Sequence, residues 1–232
     1  MKKLSKSRAL WIVVALISLY GAAHDVYRTV YPYTYVSYRM IVNVETPEGL
    51  KTGSAVRKII LYCEPQIGEQ VGCHAGLMSG EAVAVNLGKR GVLFSLMDGD
   101  GSYRVLFNTF PAPVPPLTAN GIRYYKNLHK AVATLLPKDY PKMVTFSDMK
   151  APKTIQAVDS NNLAKTFGSG VKLEDIKIEI THDPVVNRID KYLPWLKEIY
   201  AKQSRLNGST STAIFNNDLA SNLGAGSFKI GW

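Results

Sequence analysis

The sequence is poor in cysteine and lacks the short motifs that mark common catalytic sites. Two cysteines in 232 residues are too few for a disulfide-rich scaffold, and no second pair completes the ligand set of a structural zinc site. Neither a GxSxG elbow, nor HExxH, nor a GxxxxGK[ST] phosphate loop occurs. We therefore predict no metal and no cofactor, and the sequence indicates no particular class of enzyme.

Acidic residues are also scarce, at 18 against 28 Lys and Arg, so the formal net charge is +10. Four positive charges lie in the first eight residues, and the other basic residues are scattered along the chain. Such a balance attracts anionic surfaces by general electrostatics. No nucleic-acid-binding motif and no stripe of basic and aromatic residues is present, so we predict no nucleic-acid partner.

Only one segment is apolar enough to approach the length of a membrane span. A basic leader, residues 1–8, is followed by the uncharged stretch Ala9–Ala23, which His24 and Asp25 end. Because the positive charges precede the apolar stretch, the N-terminus is expected in the cytoplasm and the rest of the chain across the membrane. The N-terminal helix would then make the membrane a partner of this protein.

Two interpretations of this segment remain open. As a cleaved signal peptide, it has a short apolar core and small residues at Gly21–Ala23 for cleavage near Ala23. As an uncleaved signal anchor, its fifteen helical residues span about 22 Å of a hydrocarbon core of about 30 Å. Snorkelling of Arg8 and local thinning can absorb this difference, and Trp11 and Tyr27 resemble interfacial aromatic belts. We favour the anchor.

The two cysteines are predicted to form a disulfide. Cys63 and Cys73 flank a loop that contains proline and glycine, and an extracytoplasmic compartment permits disulfides. The chain-entropy model gives such a bond about 3 kcal/mol of stabilisation. The alternative is a pair of reduced, buried thiols. His74 follows Cys73 directly, but without further ligands at suitable spacing it does not indicate a metal site.

Alternating apolar and polar residues predict a fold dominated by strands. Thr34–Glu45 alternates, a turn follows at residues 46–49, and Ser54–Tyr62 returns, which indicates a β-hairpin directly after the apolar segment. Further strands are predicted at Glu81–Leu87, Val92–Met97, Tyr103–Asn108, Lys142–Phe146, Thr154–Val158 and Glu174–Thr181.

Helical patterns are fewer. The clearest is Asn120–Leu136, a short helix is predicted to end at Gly168, and Asp190–Gln203 gives a last one. The fold class predicted is mainly β (α+β): a β-sandwich or barrel-like domain with one or two helical insertions, after an N-terminal membrane helix. We place the β-rich domain at residues 33–204 and a tail rich in Gly, Ser and Asn at 205–232. The isolated apolar anchors of this tail are Ile214, Phe215, Phe228, Ile230 and Trp232.

Four blocks of the sequence are distinctive when taken together: YRMIVNVETPEGLKTGSAV (38–56), GEAVAVNLGKRGVLFSLM (80–97), MVTFSDMKAPKTIQAVDSNNLAKTFGSGVKLEDIKIEIT (143–181) and LPWL (193–196). They resemble an uncharacterised family of alphaproteobacterial proteins that carry an N-terminal hydrophobic segment. They cover about a third of the chain, and the cysteine segment and the tail lie outside them. The family has no assigned activity, so the resemblance implies a bacterial source and a membrane-linked placement but no catalytic residue.

These inferences lead to a membrane-tethered periplasmic binding or assembly protein of the bacterial envelope, whose partner is an envelope protein or a cell-wall polymer. It would be a single-pass inner-membrane protein with a cytoplasmic N-terminus, or, after cleavage near Ala23, a protein secreted to the periplasm. The alternative function is an envelope hydrolase with a site assembled from distant residues, in which His74, His129 or His182 meets a carboxylate or a serine. A passive structural role is a third option.

Overall fold

The computed structural model describes residues 6–66, 71–97, 101–211 and 218–231. The strands are β1 (Tyr33–Thr46), β2 (Gly49–Pro65), β3 (Val71–Glu81), β4 (Val83–Asn86), β5 (Val92–Ser95), β6 (Val132–Thr134), β7 (Met143–Phe146), β8 (Ile155–Val158), β9 (Lys172–Ile180) and β10 (Lys229–Ile230). The helices are α1 (Lys6–Val30), α2 (Gly101–Thr109), α3 (Ala119–Lys126), α4 (Ala164–Phe167), α5 (Leu196–Ala201) and α6 (Leu219–Asn222).

The predicted hairpin is confirmed and forms the middle of the larger sheet. β1 and β2 pair antiparallel without a break from Tyr33 opposite Tyr62 to Thr46 opposite Gly49. Gly49 has φ of +104°, a conformation that side chains disfavour, which lets the chain reverse over two residues. The strand order is β10-β3-β2-β1-β9-β6, with neighbouring strands antiparallel.

The smaller sheet, with strand order β4-β5-β7-β8, is covered on both faces. All four residues of β7 are buried. Leu93 and Met143 face a core shared with the larger sheet, whereas Phe94 and Val144 face a second core shared with the C-terminal segments. Alternate residues of the same strands therefore enter different cores, which is why Val92–Met97 is apolar almost throughout. The mainly β, α+β fold of two antiparallel sheets is confirmed.

The segment predicted as a strand at Tyr103–Asn108 is helical, and that prediction was wrong. Tyr, Val and Phe favour strands, but the buried residues are Ser102, Val105, Leu106 and Phe110. Their spacing places them on one side of a helix and not on one face of a strand. Helix α2 therefore packs this stripe into the core beneath the larger sheet.

The helix predicted at Asn120–Leu136 is only half as long. α3 begins after Thr118, whose hydroxyl accepts a hydrogen bond from the Gly121 amide at 3.1 Å, and it ends at Lys126. Lys130 then adopts φ of +50°, which interrupts a helix. Val132–Thr134 then form β6, which pairs with β9 at the sheet edge, so tertiary pairing overrides the helical spacing.

The C-terminal segment predicted as a tail is packed over much of its described length. Leu206, Leu223 and Phe228 are buried in the second core, and β10 extends the larger sheet beside β3. The predicted anchors Ile214, Phe215 and Trp232 lie outside the described residues. The composition of this segment, rich in Gly, Ser and Asn, gave no sign that its few apolar residues close the second core.

Substitution of Phe228 tests this packing. Phe228→Ala removes a fully buried ring that contacts Phe94, Phe146 and Trp195, and we expect a loss of about 3–5 kcal/mol in the free energy of unfolding. Urea unfolding followed by tryptophan fluorescence measures it. The control Leu136→Ala, at a side chain that is 55% exposed, should stay within about 0.5 kcal/mol of the native protein. Equal effects of the two substitutions would contradict the packing.

Candidate functional site

Helix α1 is one continuous element of 25 residues. Its window Leu10–Val30 has a mean hydropathy of 1.5, and none of it is buried against the rest of the protein. Twenty-one helical residues span about 31 Å, of which the uncharged residues up to Ala23 supply about 21 Å and residues 24–30 about 10 Å. The helix is thus long and apolar enough to cross a membrane, and a signal sequence would meet the same criteria. It continues seven residues beyond the apolar stretch predicted from the sequence.

The junction between α1 and the sheet consists of only two residues, Tyr31 and Pro32. The Cys63 amide donates a hydrogen bond to the Pro32 carbonyl at 2.9 Å, and the Arg123 guanidinium donates to the Thr29 carbonyl. The ring of Tyr31 packs against the core of the domain. Contacts from both β2 and α3 therefore hold the end of the helix on the domain.

The two cysteines lie at this same end of the larger sheet. Cys63 and Cys73 face each other on β2 and β3, and their sulfur atoms are 2.06 Å apart, the length of a disulfide bond. The sequence did not predict β3 as a strand, because three glycines within Val71–Glu81 lower its β-propensity. The covalent link joins this glycine-rich strand to the strand that holds the helix junction.

Exposed tyrosines cover the outer face of the sheet beside the junction. We call Tyr33, Tyr35, Tyr62 and His74 the tyrosine patch. The rings of Tyr33 and Tyr35 are 5.1 Å apart, those of Tyr62 and His74 are 5.4 Å apart, and the Lys58 ammonium lies 4.3 Å from the Tyr35 ring centre. Alternation along β1 and β2 turns these rings away from the core, and exposed aromatic residues are enriched at binding surfaces.

The three histidines considered for a hydrolase do not share one pocket. His129 and His182 are exposed, with ring centres 6.4 Å apart. His74 is half-buried, and its Nε2 lies 3.5 Å from a Glu64 carboxylate oxygen. β3 and the strand that precedes His182, β9, are separated in the sheet by β2 and β1, a distance of about 14 Å. His74 therefore meets a carboxylate, but not the other two histidines.

A set of buried charged residues lies between the larger sheet and the C-terminal layer. Arg57 is 1% exposed and donates to the carbonyl oxygens of Glu81, Ser95 and Leu96 at 3.4, 3.4 and 3.2 Å. The Glu81 carboxylate accepts from the amides of residues 188 and 189, at 2.8 and 2.9 Å. Lys229 pairs with Asp190 at 2.7 Å. These contacts tie the strands to the C-terminal layer, so the groups serve the fold.

In the part of the chain that the structure describes, no three His, Cys, Asp or Glu side chains are grouped as a metal site would need. Comparison of the chain with models of protein families, with curated proteins and with solved structures finds no match. The resemblance to an alphaproteobacterial family stays a prediction. The features that remain for function are the apolar helix, its junction with the domain and the tyrosine patch.

Removal of the disulfide should destabilise the domain. We expect the double substitution Cys63→Ser and Cys73→Ser to lower the free energy of unfolding by about 3 kcal/mol, because the unfolded chain regains the freedom that the closed loop removes. Urea unfolding with and without reductant measures the effect. Reductant should lower the stability of the native protein equally and leave the double variant unchanged. A native protein insensitive to reductant would contradict the bond.

Glu81 should make stability depend on pH. Burial raises the pKa of its carboxyl above the usual 4.5. Just above pH 4.5 the folded state therefore binds more protons than the unfolded chain, so the contribution of this group to the unfolding free energy falls as pH rises. Glu81→Gln removes this titration and keeps an acceptor for the two amides. Urea unfolding across this pH range should show a smaller decline for Glu81→Gln, while the exposed control Glu174→Gln follows the native protein. Equal declines would contradict this role.

Proposed function

We propose that this chain is a single-pass, membrane-tethered binding or assembly protein of the bacterial envelope, with a cytoplasmic N-terminus and a periplasmic β-rich domain. The observation that carries the proposal is the unbroken α1, which is exposed along its apolar window and joined to the sheet through two residues. A helix with no apolar surface of its own protein to pack on needs another apolar environment, and a bilayer supplies one.

The helix supports an anchor over a cleaved signal peptide. α1 runs without interruption through Gly21–Ala23, where a cleavage site would lie. The basic leader directs the N-terminus to the cytoplasm, and a disulfide is typical of a domain outside it.

The tyrosine patch supports a binding role. Tyr33 and Tyr35 are 52% and 44% exposed, although tyrosine rings bury well, and they stand on rigid paired strands. Aromatic rings present a large contact area at a small entropic cost, which suits recognition of a protein or of a sugar polymer. An envelope protein or a cell-wall polymer that approaches along the membrane would meet this face of the sheet.

Fractionation and intact mass test the anchor. Membranes from cells that express the full chain are washed at alkaline pH, and the retained protein is weighed without reductant. We expect the full-length chain in the membrane pellet, two protons lighter than its reduced form. A soluble protein that lacks residues 1–23 would contradict the tether and support secretion after cleavage.

Photocrosslinking tests the binding surface. A photoreactive phenylalanine analogue replaces Tyr35 in the patch or Tyr200 in the C-terminal layer, which is 51% exposed against 44% for Tyr35. Irradiation of intact cells should give a specific crosslinked envelope component from position 35 and none from position 200. The same products from both positions would contradict a specific role of the patch.

A further inference from the structure

A groove lies where α1 leaves the apolar part of its length and meets the domain. The last two turns of α1 form one side and α3 forms the other, and the space between them is about 750 Å³. We call this space the junction groove. Arg28 comes from α1, Arg123 and Lys126 come from α3, and Tyr27 and Tyr31 add rings. Arg123 and Lys126 are three residues apart, so one face of α3 presents both.

The cations of the junction groove are not matched by carboxylates. Among the described residues, no carboxylate oxygen lies within ion-pair distance of Arg28, Arg123 or Lys126. Some cations elsewhere on the domain pair with acidic side chains, as Arg39, Arg90 and Lys229 do, and others, such as Lys153, stand singly on the surface. In the junction groove, three cations lie together with one carboxylate, that of Asp25. The Asp25 side chain is 87% exposed and lies beside His24. The groove therefore carries an excess of positive charge.

Arg123 has a structural task that Arg28 and Lys126 lack. Its guanidinium donates to Asn120 Oδ1 at 2.6 Å and to the Thr29 carbonyl, so it fixes α3 against the helix end. Arg28 and Lys126 lie in the last turns of their helices, where a cation also complements the helix dipole. The helix dipole accounts for a cation at the end of either helix taken alone. It does not explain why both line one groove beside Arg123.

The position of the junction groove relative to the bilayer indicates the chemical class of its ligand. This step rests on the proposed function, since it requires α1 to cross a membrane. The apolar stretch ends at His24, and the seven helical residues 24–30 then span about 10 Å, comparable to the layer of lipid headgroups. Arginine and lysine donate charge-assisted hydrogen bonds to phosphate oxygens, and tyrosine rings settle at the same depth.

We infer that the junction groove binds the phosphate headgroup of an anionic phospholipid of the outer leaflet, held by Arg28 and Lys126. Arg123 positions the two helices that form the site. The lipid fills the space between α1 and α3 and offsets the unmatched charge there. A bound headgroup would contact both α1 and α3 and so add to the contacts that already fix the helix on the domain.

Native mass spectrometry of the full-length chain in neutral detergent tests this site. The protein is titrated with phosphatidylglycerol or with phosphatidylcholine of the same acyl length. The test variant carries Arg28→Gln and Lys126→Gln. The control variant carries Lys153→Gln and Lys197→Gln, which remove the same charge from exposed positions away from the groove. Arg123 is left unchanged because it holds α1 in place.

We expect the native and control proteins to retain phosphatidylglycerol in preference to phosphatidylcholine. The test variant should bind phosphatidylglycerol roughly 25-fold more weakly, at roughly fivefold for each cation removed. Equal retention by test and control variants would overturn the site. Displacement by inorganic phosphate at the concentration of the lipid would overturn the lipid assignment and indicate a soluble phosphate. A chain that fractionates as soluble would instead refute the tether, which the alkaline wash reports independently.

Discussion

Tyr31 and Pro32 join a helix that can cross a membrane to the first strand of a sheet, and the position of the whole domain depends on this short connection. Two residues allow little freedom, and the hydrogen bond from the Cys63 amide to the Pro32 carbonyl removes more of it. Arg123 holds the preceding turn through the Thr29 carbonyl. The domain is therefore a rigid continuation of the helix and not a body on a flexible linker.

The disulfide, the tyrosine patch and the junction groove all lie close to this junction. Cys63 bonds to the junction through its amide and to Cys73 through its sulfur, so strand β3 is linked to the same point. The tyrosine patch stands on the same strand ends, and the junction groove opens beside them. A tether, a binding surface and a lipid site would thus lie together, at the end of the domain nearest the bilayer.

The far side of the domain supplies the stability that holds this end in place. Phe94 and Phe146 of the smaller sheet pack with Phe228 from the C-terminal segment. Buried Arg57 and Glu81 bond mainly to backbone groups, which connects the sheets to the C-terminal layer without an exposed salt bridge. Desolvation of such groups costs free energy, and their hydrogen bonds offset it.

The sequence predicted the secondary structure correctly where the local pattern of apolar and polar residues matches the burial of those residues in the fold. β1, with one buried face, alternates, and Thr118 caps a helix as its side chain suggests. The sequence predicted the wrong secondary structure where contacts with distant segments of the chain determine it. Val105 and Leu106 belong to a helix because their side chains pack into the core beneath the larger sheet. Val132 belongs to a strand because the edge of β9 is open to pairing there. Buried Arg57 and the junction groove leave no local signal, since each is formed by segments far apart in the chain.

The central claim is that the junction holds the domain against the bilayer, and the depth of a single spin label measures this directly. Both native cysteines are paired, so a new cysteine at Asn127 beside the groove, or at Lys153 on the far side, can be labelled alone. The protein is reconstituted in nanodiscs, and collisions with oxygen and with a nickel complex are compared. The account predicts headgroup depth at position 127 and bulk water at position 153. Bulk water at both positions would contradict it.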